Sequence, residues 1–198
     1  MSAEFFTAEG LGVLAEHAGL VPPLQAPVYL LLDAAGPGAG EDLAALAGDL
    51  PVAVATSAPD RARLWAYRER HPEAAGFLGV PLKLDVSVPA AQWVRLASEV
   101  AGVLHAADPG ARVIIYGHVA DGNVHVNVVP AAPADGRHEE AVFGLVISLG
   151  GSVSAEHGIG ALKAPWFPLV RSDAERELFT RIRSAFDLAG ILNPHVLV

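Results

Sequence analysis

The chain of 198 residues contains no cysteine, and charged side chains make up only 18% of it. Without thiols it can form no disulfide and offer no thiolate, so any metal must be held by His, Asp or Glu. A sequence with no disulfides to maintain fits the cytoplasm. No Lys/Arg-rich run offsets the formal net charge of -9, which repels phosphate backbones and argues against a nucleic acid partner. No stretch of about 18 residues is free of charges and turn formers, as a membrane-spanning helix requires. The opening Met1-Ser2-Ala3-Glu4-Phe5-Phe6 lacks the basic segment and apolar stretch of a secretory signal.

What the chain has in excess is apolar: 52% hydrophobic residues and a mean hydropathy of +0.38. That is rich for a free-standing domain of this size. Part of the surface is therefore expected to face a partner domain, with a homodimer as the other arrangement to consider. The length suits one domain spanning 1–198 with a sizeable core.

Periodicity predicts a helix over 4–18, a buried strand from Val28 to Leu32, a short helix from Glu41 to Ala47 and a strand from Val52 to Ala55. Ser57 is placed to cap a helix running from Ala58 to Glu73. From Leu82 to Val88 apolar residues alternate with Lys83, Asp85 and Ser87, giving one dry face and one polar face. A helix over Ala90 to Ala107 leads to strands Arg112 to His118 and Asn123 to Val129. After a loop with Pro130, Pro133 and Gly136 come a helix from Glu139 to Leu149, a Gly150-Gly151 turn into Ser152 to Ser154, a Gly-punctuated loop through Gly160 and a last helix, Asp173 to Leu188, capped by Ser172. This pattern predicts an α+β domain with ferredoxin-like elements, its helices packed against a largely antiparallel sheet. The turn at Gly36, Gly38 and Gly40 lacks the G-x-G-x-x-G spacing of a dinucleotide site and reads as an ordinary turn.

The stretch Tyr116-Gly117-His118-Val119-Ala120-Asp121-Gly122-Asn123-Val124-His125-Val126-Asn127-Val128 is the most informative. Asp-Gly between alternating apolar runs signals a tight hairpin. With Asp121-Gly122 as a two-residue loop, His118 faces His125 and Tyr116 faces Asn127. Directly opposed side chains have Cβ atoms about 4.5–5.5 Å apart, close enough for two imidazoles to hold one divalent ion. From two histidines alone an exposed surface hairpin is the simpler reading. The nearby Asn127 and a later acid shift the balance.

That acid lies in Gly150-Gly151-Ser152-Val153-Ser154-Ala155-Glu156-His157-Gly158-Ile159-Gly160. Glu156 completes a His118, His125, Glu156 set with open coordination positions. His157 is then held beside the ion, and an imidazole can accept a hydroxyl proton near neutral pH. A further element is Trp65-Ala66-Tyr67-Arg68-Glu69-Arg70 on its helix, with Lys83 on the polar face of its strand. A guanidinium and an ammonium meeting there would hold a carboxylate. Lys163 is a weaker candidate for the same task.

The segments Gly117-His118 through Asn127, Gly151 to Gly160, Trp65 to Arg68, Leu82-Lys83-Leu84-Asp85 and the ending Leu192-Asn193-Pro194 together resemble the C-terminal domain of FAD-linked oxidases. This is the family of D-lactate dehydrogenases, glycolate oxidase and D-2-hydroxyglutarate dehydrogenase. The resemblance implies that His118, His125 and Glu156 bind zinc or a similar divalent metal and that His157 is the catalytic base. It implies that Arg68, Lys83 and Asn127 bind substrate and that Asn193 lies against the flavin. Ala120 and His195 stand where the family usually has glycine, and Pro72 where some members place a hydroxylated contact, which leaves the acid open. Nothing in the chain resembles the family's FAD-binding domain. The expected reaction is oxidation of a D-2-hydroxy acid to the 2-oxo acid, with hydride passing to FAD held mainly by that partner domain or subunit, and the chain alone should not turn over. The competing reading is a metal-binding or interaction module without redox activity. Metal-assisted hydrolysis ranks last, because no second acid is placed to protonate a leaving group.

Overall fold

Phe5 and Phe6 are both buried, but in two different apolar clusters. Only an extended backbone sends neighbouring side chains to opposite sides. In the computed structural model, which describes residues 1–131, 135–194 and 196, the chain accordingly opens with strand β1 (Ser2–Thr7), and helix α1 (Ala8–Ala18) starts only after it. The predicted helix over 4–18 is thus corrected at its first turn. Its apolar residues serve a strand paired on both sides, a demand that local helix propensity cannot override.

The remaining elements are β2 (Val28–Asp33), α2 (Ala39–Ala47), α3 (Ala58–Glu69), α4 (His71–Leu78), β3 (Leu82–Ser87), α5 (Trp93–Ala107), β4 (Arg112–His118), β5 (Asn123–Val129), α6 (Arg137–Ser148), the short turns α7 (Gly160–Lys163) and α8 (Phe167–Val170), and α9 (Asp173–Phe186). The five strands among the described residues form one antiparallel sheet in the order β2-β1-β4-β5-β3. Because β5 lies between β3 and β4, the β3-α5-β4 unit is a split β-α-β, the predicted ferredoxin-like element. The α+β expectation holds.

Three local expectations need correction. Val52 to Ala55 forms no strand; Val52 and Val54 are exposed, so that run has no surface to pack on. β2 exists, but it is a sheet edge with Leu30 exposed, not a buried strand. The helix expected over 58–73 breaks at Arg70 into α3 and α4, because Pro72 has no N–H to bond back to the Arg68 carbonyl. Pro133 and His195, both singled out in the sequence, lie outside the described residues. The predicted caps are present: Ser57 accepts from the Asp60 N–H at 3.2 Å, and Ser172 forms a reciprocal capping box with Glu175.

Each face of the sheet is used differently. Phe5, Leu84, Val86, Val113, Ile115, Val124, Val126 and Val128 pack with α5 and α6 residues such as Leu96, Val100, Phe143 and Val146. On the other face, Phe6, Ile114 and Tyr116 pack with Leu11, Leu14, Tyr67 and Ala74 of α1, α3 and α4. The valines of β5 and the apolar set of β3 take the dry face that their alternation predicts.

His71, at the start of α4, is fully buried and lies 2.5 Å from the Tyr67 carbonyl through Nδ1. Burial pushes its pKa down to about 4, against the opposing pull of backbone carbonyls of Tyr67 and Thr7. The folded state therefore holds the imidazole neutral, while the unfolded chain protonates it near pH 6.5. Its contribution is complete above that value and is lost as pH falls from 6.5 through 4, amounting to about 3 kcal/mol. Urea unfolding at pH 7 and pH 4 should show a smaller acid-induced loss in His71→Gln than in the parent by about that amount. Equal losses in both would show that His71 carries no such linkage.

Candidate active site

The polar residues of β3, β4 and β5 converge on the face shared with α1, α3 and α4, beyond the edge of that helical layer. The register that brings them together differs from the predicted one. His118 pairs with Asn123, Tyr116 with His125 and Ile114 with Asn127, so Val119 to Gly122 form a four-residue turn closed by the Gly122 N–H on the Val119 carbonyl. The flanking strands account for this. The Val119 N–H donates to the Ala3 carbonyl of β1, and the Gly122 carbonyl accepts from the Val88 N–H just after β3, so both residues serve neighbouring strands instead of pairing across the hairpin. Gly122 has φ +67, and an added Cβ there would lie 2.1 Å from the Val88 carbonyl oxygen.

A slip of two residues preserves the face. His118 and His125 become diagonal neighbours, with ring centroids 5.5 Å apart and nearly perpendicular. His118 Nε2 lies 3.6 Å from Oε1 of Glu156, and His125 Nε2 lies 4.0 Å from its Oε2. One ligand atom from each residue falls within 4.8 Å of the others. Bonds of about 2.0–2.1 Å in a tetrahedral set hold ligand atoms roughly 3.4 Å apart, so small adjustments would let one divalent ion bridge all three.

The other nitrogens of the two imidazoles meet carboxylates. His118 Nδ1 lies 2.9 and 2.8 Å from the oxygens of Glu4. A carboxylate only accepts, so Nδ1 carries a proton for Glu4, and Nε2 is the nitrogen on the Glu156 side that would ligate an ion. His125 Nδ1 lies 3.4 Å from Oδ1 of Asp85. Burial lowers the pKa of His125 against the attraction of Asp85 and Glu156, favouring the neutral form that metal ligation needs. The donor set, tautomer and charge all fit a divalent cation.

His157 follows Glu156 and reaches the same cluster, its ring 5.9 Å from that of His125 and its Nδ1 3.9 Å from Asp85. Side-chain exposure rises from 12% at His125 to 49% at Glu156 and 62% at His157, so the cluster opens on the side of His157. Arg68 is buried, with Nε donating to Glu4 at 3.0 Å and the guanidinium 4.6 Å from the Tyr116 ring centroid. Asn127 is buried and donates to the Ile114 carbonyl at 3.4 Å, and exposed Lys83 pairs with it in register. Lys163 is buried and donates to the Asp85 carbonyl at 2.8 Å, a structural anchor in place of the substrate contact considered for it. Asn193 lies beyond α9 with φ 44, its carbonyl accepting from Arg183; the hydrogen bonds of the cluster do not reach it. A cavity of about 500 Å³ lies between β2, α2 and α3. It is lined by residues such as Leu30, Leu43, Val52 and Trp65 and by none of the cluster.

Sequence reasoning missed the two supporting carboxylates. Asp85 had a signal, its place on the polar face of an alternating strand, though nothing local showed what it would meet. Glu4 was hidden by the helical reading of the N-terminus.

The family model for the C-terminal domain of FAD linked oxidases matches residues 1–197, and the chain belongs to that family. It is similar to the mitochondrial D-2-hydroxyglutarate dehydrogenase of Bos taurus, 33% identical over 210 residues that cover 98% of this chain and 38% of the relative. The D-2-hydroxyglutarate dehydrogenase of Xanthomonas citri is 30% identical over 209 residues, covering 96% of this chain and 44% of the relative. A D-2-hydroxyglutarate–pyruvate transhydrogenase of Saccharomyces cerevisiae is 34% identical over 143 residues, 68% of this chain and 29% of the relative. The chain thus spans less than half the length of these relatives. Among the described residues no helix is long and apolar enough to cross a membrane.

Glu4 joins a metal-ligand candidate to a buried guanidinium, so removing its charge should be costly. Glu4→Gln is expected to lower stability by about 3 kcal/mol in urea unfolding, because Arg68 is left buried without its counter-charge. Adding Arg68→Met should recover part of the loss; a double variant as unstable as the sum of the two single ones would show that the pair is not coupled.

Proposed function

We propose that this chain is the substrate- and metal-binding domain of an FAD-dependent dehydrogenase or oxidase of D-2-hydroxy acids. The supporting observation is the convergence of both Nε2 atoms of His118 and His125 on the carboxylate of Glu156, with His157 alongside, in a chain of the FAD-linked oxidase family. The relatives' names point to 2-hydroxyglutarate among the candidate acids.

A divalent cation, zinc by its His-His-Glu donors, would supply Lewis acidity at the substrate oxygens, and FAD would supply the acceptor for hydride. This chain's residues supply the rest. His157 takes the hydroxyl proton at its Nε2, and Lys83 and Arg68 bind carboxylate oxygens and fix the orientation of the α-carbon. Asn127, paired in register with Lys83, holds the substrate from the neighbouring strand. Asn193 is assigned to the flavin side, which this chain contacts only in part. The FAD-binding partner domain or subunit covers the exposed Leu178, Ile182, Phe186 and Leu188 at the C-terminal end, with a homodimer as the other arrangement of that surface.

The test is reconstitution. The chain mixed with a flavin-loaded FAD-binding domain of the family should reduce a dye with a D-2-hydroxy acid, and the chain alone should not. His157→Ala should lower the mixed rate by about 10²- to 10⁴-fold, the range of a lost general base. Unchanged rates in that variant would remove His157 from the mechanism. Zinc binding by the chain should fall about tenfold or more in His118→Ala and weaken as pH drops from 7 toward 5, because imidazole must be neutral to ligate. Binding indifferent to both changes would place the ion elsewhere.

A further inference from the structure

Three separate contacts hold the segment 152–163 to β3, and all of them fall on two residues of that strand. The Ser87 and Ser152 backbones exchange hydrogen bonds at 3.0 and 2.8 Å. Oδ2 of Asp85 accepts from the N–H groups of Ala155, Glu156 and His157 at 3.2, 2.7 and 3.0 Å. The Asp85 carbonyl accepts from Lys163. Within the loop, the Ser154 hydroxyl closes a further turn on the Gly158 carbonyl at 2.6 Å.

Asp85 is 2% exposed. Its Oδ1 has no hydrogen bond and faces His125 Nδ1. A carboxylate buried in a sheet is costly, and here three backbone donors meet one of its oxygens. Two of those donors belong to the third candidate ligand and the candidate base, and the imidazole at its other oxygen is the second candidate ligand. The separation of Glu156 from His125, two residues from distant parts of the chain, therefore passes through one rigid group.

We infer that Asp85 is a positioning residue that builds the cation site before any ion arrives, clamping the Glu156-His157 backbone with one oxygen and orienting His125 with the other. The inference rests on the reading of His118, His125 and Glu156 as a cation site. What it adds is the cause of their geometry. Charge alone does not perform this task. A carboxylate one methylene further out keeps the charge and displaces the loop.

Two measurements on the purified chain test it. In the first, zinc affinity is read by competition with a chromogenic chelator, and the Co²⁺-substituted chain is read by its visible absorption. Asp85→Asn and Asp85→Glu should each weaken zinc roughly 10- to 100-fold, the usual cost of losing an outer-shell partner, and both should alter the Co²⁺ bands. Parent-like affinity and bands in Asp85→Glu would show that charge suffices and would overturn positioning. Parent-like affinity in Asp85→Asn would overturn any role for the clamp. The second measurement is hydrogen exchange of the metal-free parent, which needs no variant to fold. The amides of Ala155, Glu156 and His157 should exchange slowly although their side chains are largely exposed, and rapid exchange would overturn pre-organisation whatever the ion does. Slow exchange in a parent that fails to bind zinc or Co²⁺ would instead reject the cation reading and leave Asp85 as a loop anchor alone, which also overturns the inference as stated.

Discussion

Two carboxylates sit where a sheet ordinarily keeps apolar side chains, and the arrangement of the candidate site depends on how they are satisfied. Glu4 on β1 and Asp85 on β3 are 6% and 2% exposed. Burying an anion is tolerated only when donors surround it, so each one gathers polar groups from distant parts of the chain. Glu4 collects Arg68 from α3 and His118 from β4. Asp85 collects three amides of the 152–163 loop and faces His125 of β5. The candidate ligands are thereby placed by the electrostatic needs of residues that need not touch an ion themselves.

The sheet makes this possible because its faces are divided unevenly. One face is closed by α5 and α6 over a continuous run of valines, leucines and isoleucines. The other is covered only in part, by α1, α3 and α4 around Phe6, Ile114 and Tyr116. Tyr116 marks the transition. Its ring packs in the apolar cluster, carries the Arg68 guanidinium and meets the His125 ring at 5.0 Å. Burial raises the pKa of its hydroxyl, against the opposing influence of the neighbouring Asn127 amide, so it stays a neutral partner beside the cationic and imidazole groups. Polar residues at the next positions of β3, β4 and β5 then face a region that none of the described helices seals.

Membership in the FAD-linked oxidase family gives that open region a context. The chain spans less than half of the relatives' lengths, and the partner domain proposed above would complete a site built on one incompletely covered sheet face. The exposed apolar residues of α9 and the segment after it agree with a chain that buries further surface in an assembly.

Alternation and turn chemistry, both local properties, were enough to recover β3, β4 and β5, the dry faces of β3 and β5, the caps of α3 and α9, and the shared face of His118 and His125, while Glu156 and His157 became candidates through the family resemblance. A two-residue period survives any even slip, which is why the correct face was legible although the hairpin register was not. The register itself was decided by β1 and the end of β3, whose backbone groups claimed Val119 and Gly122. The first strand was hidden for the same reason: Phe5 and Phe6 could serve a helix locally, and only a sheet needing a member with two buried faces makes them a strand. Glu4 and Asp85 acquired their roles when tertiary packing removed water from them, because hydrogen bonds that satisfy a buried charge come from residues far apart in the sequence and leave no periodic trace in it.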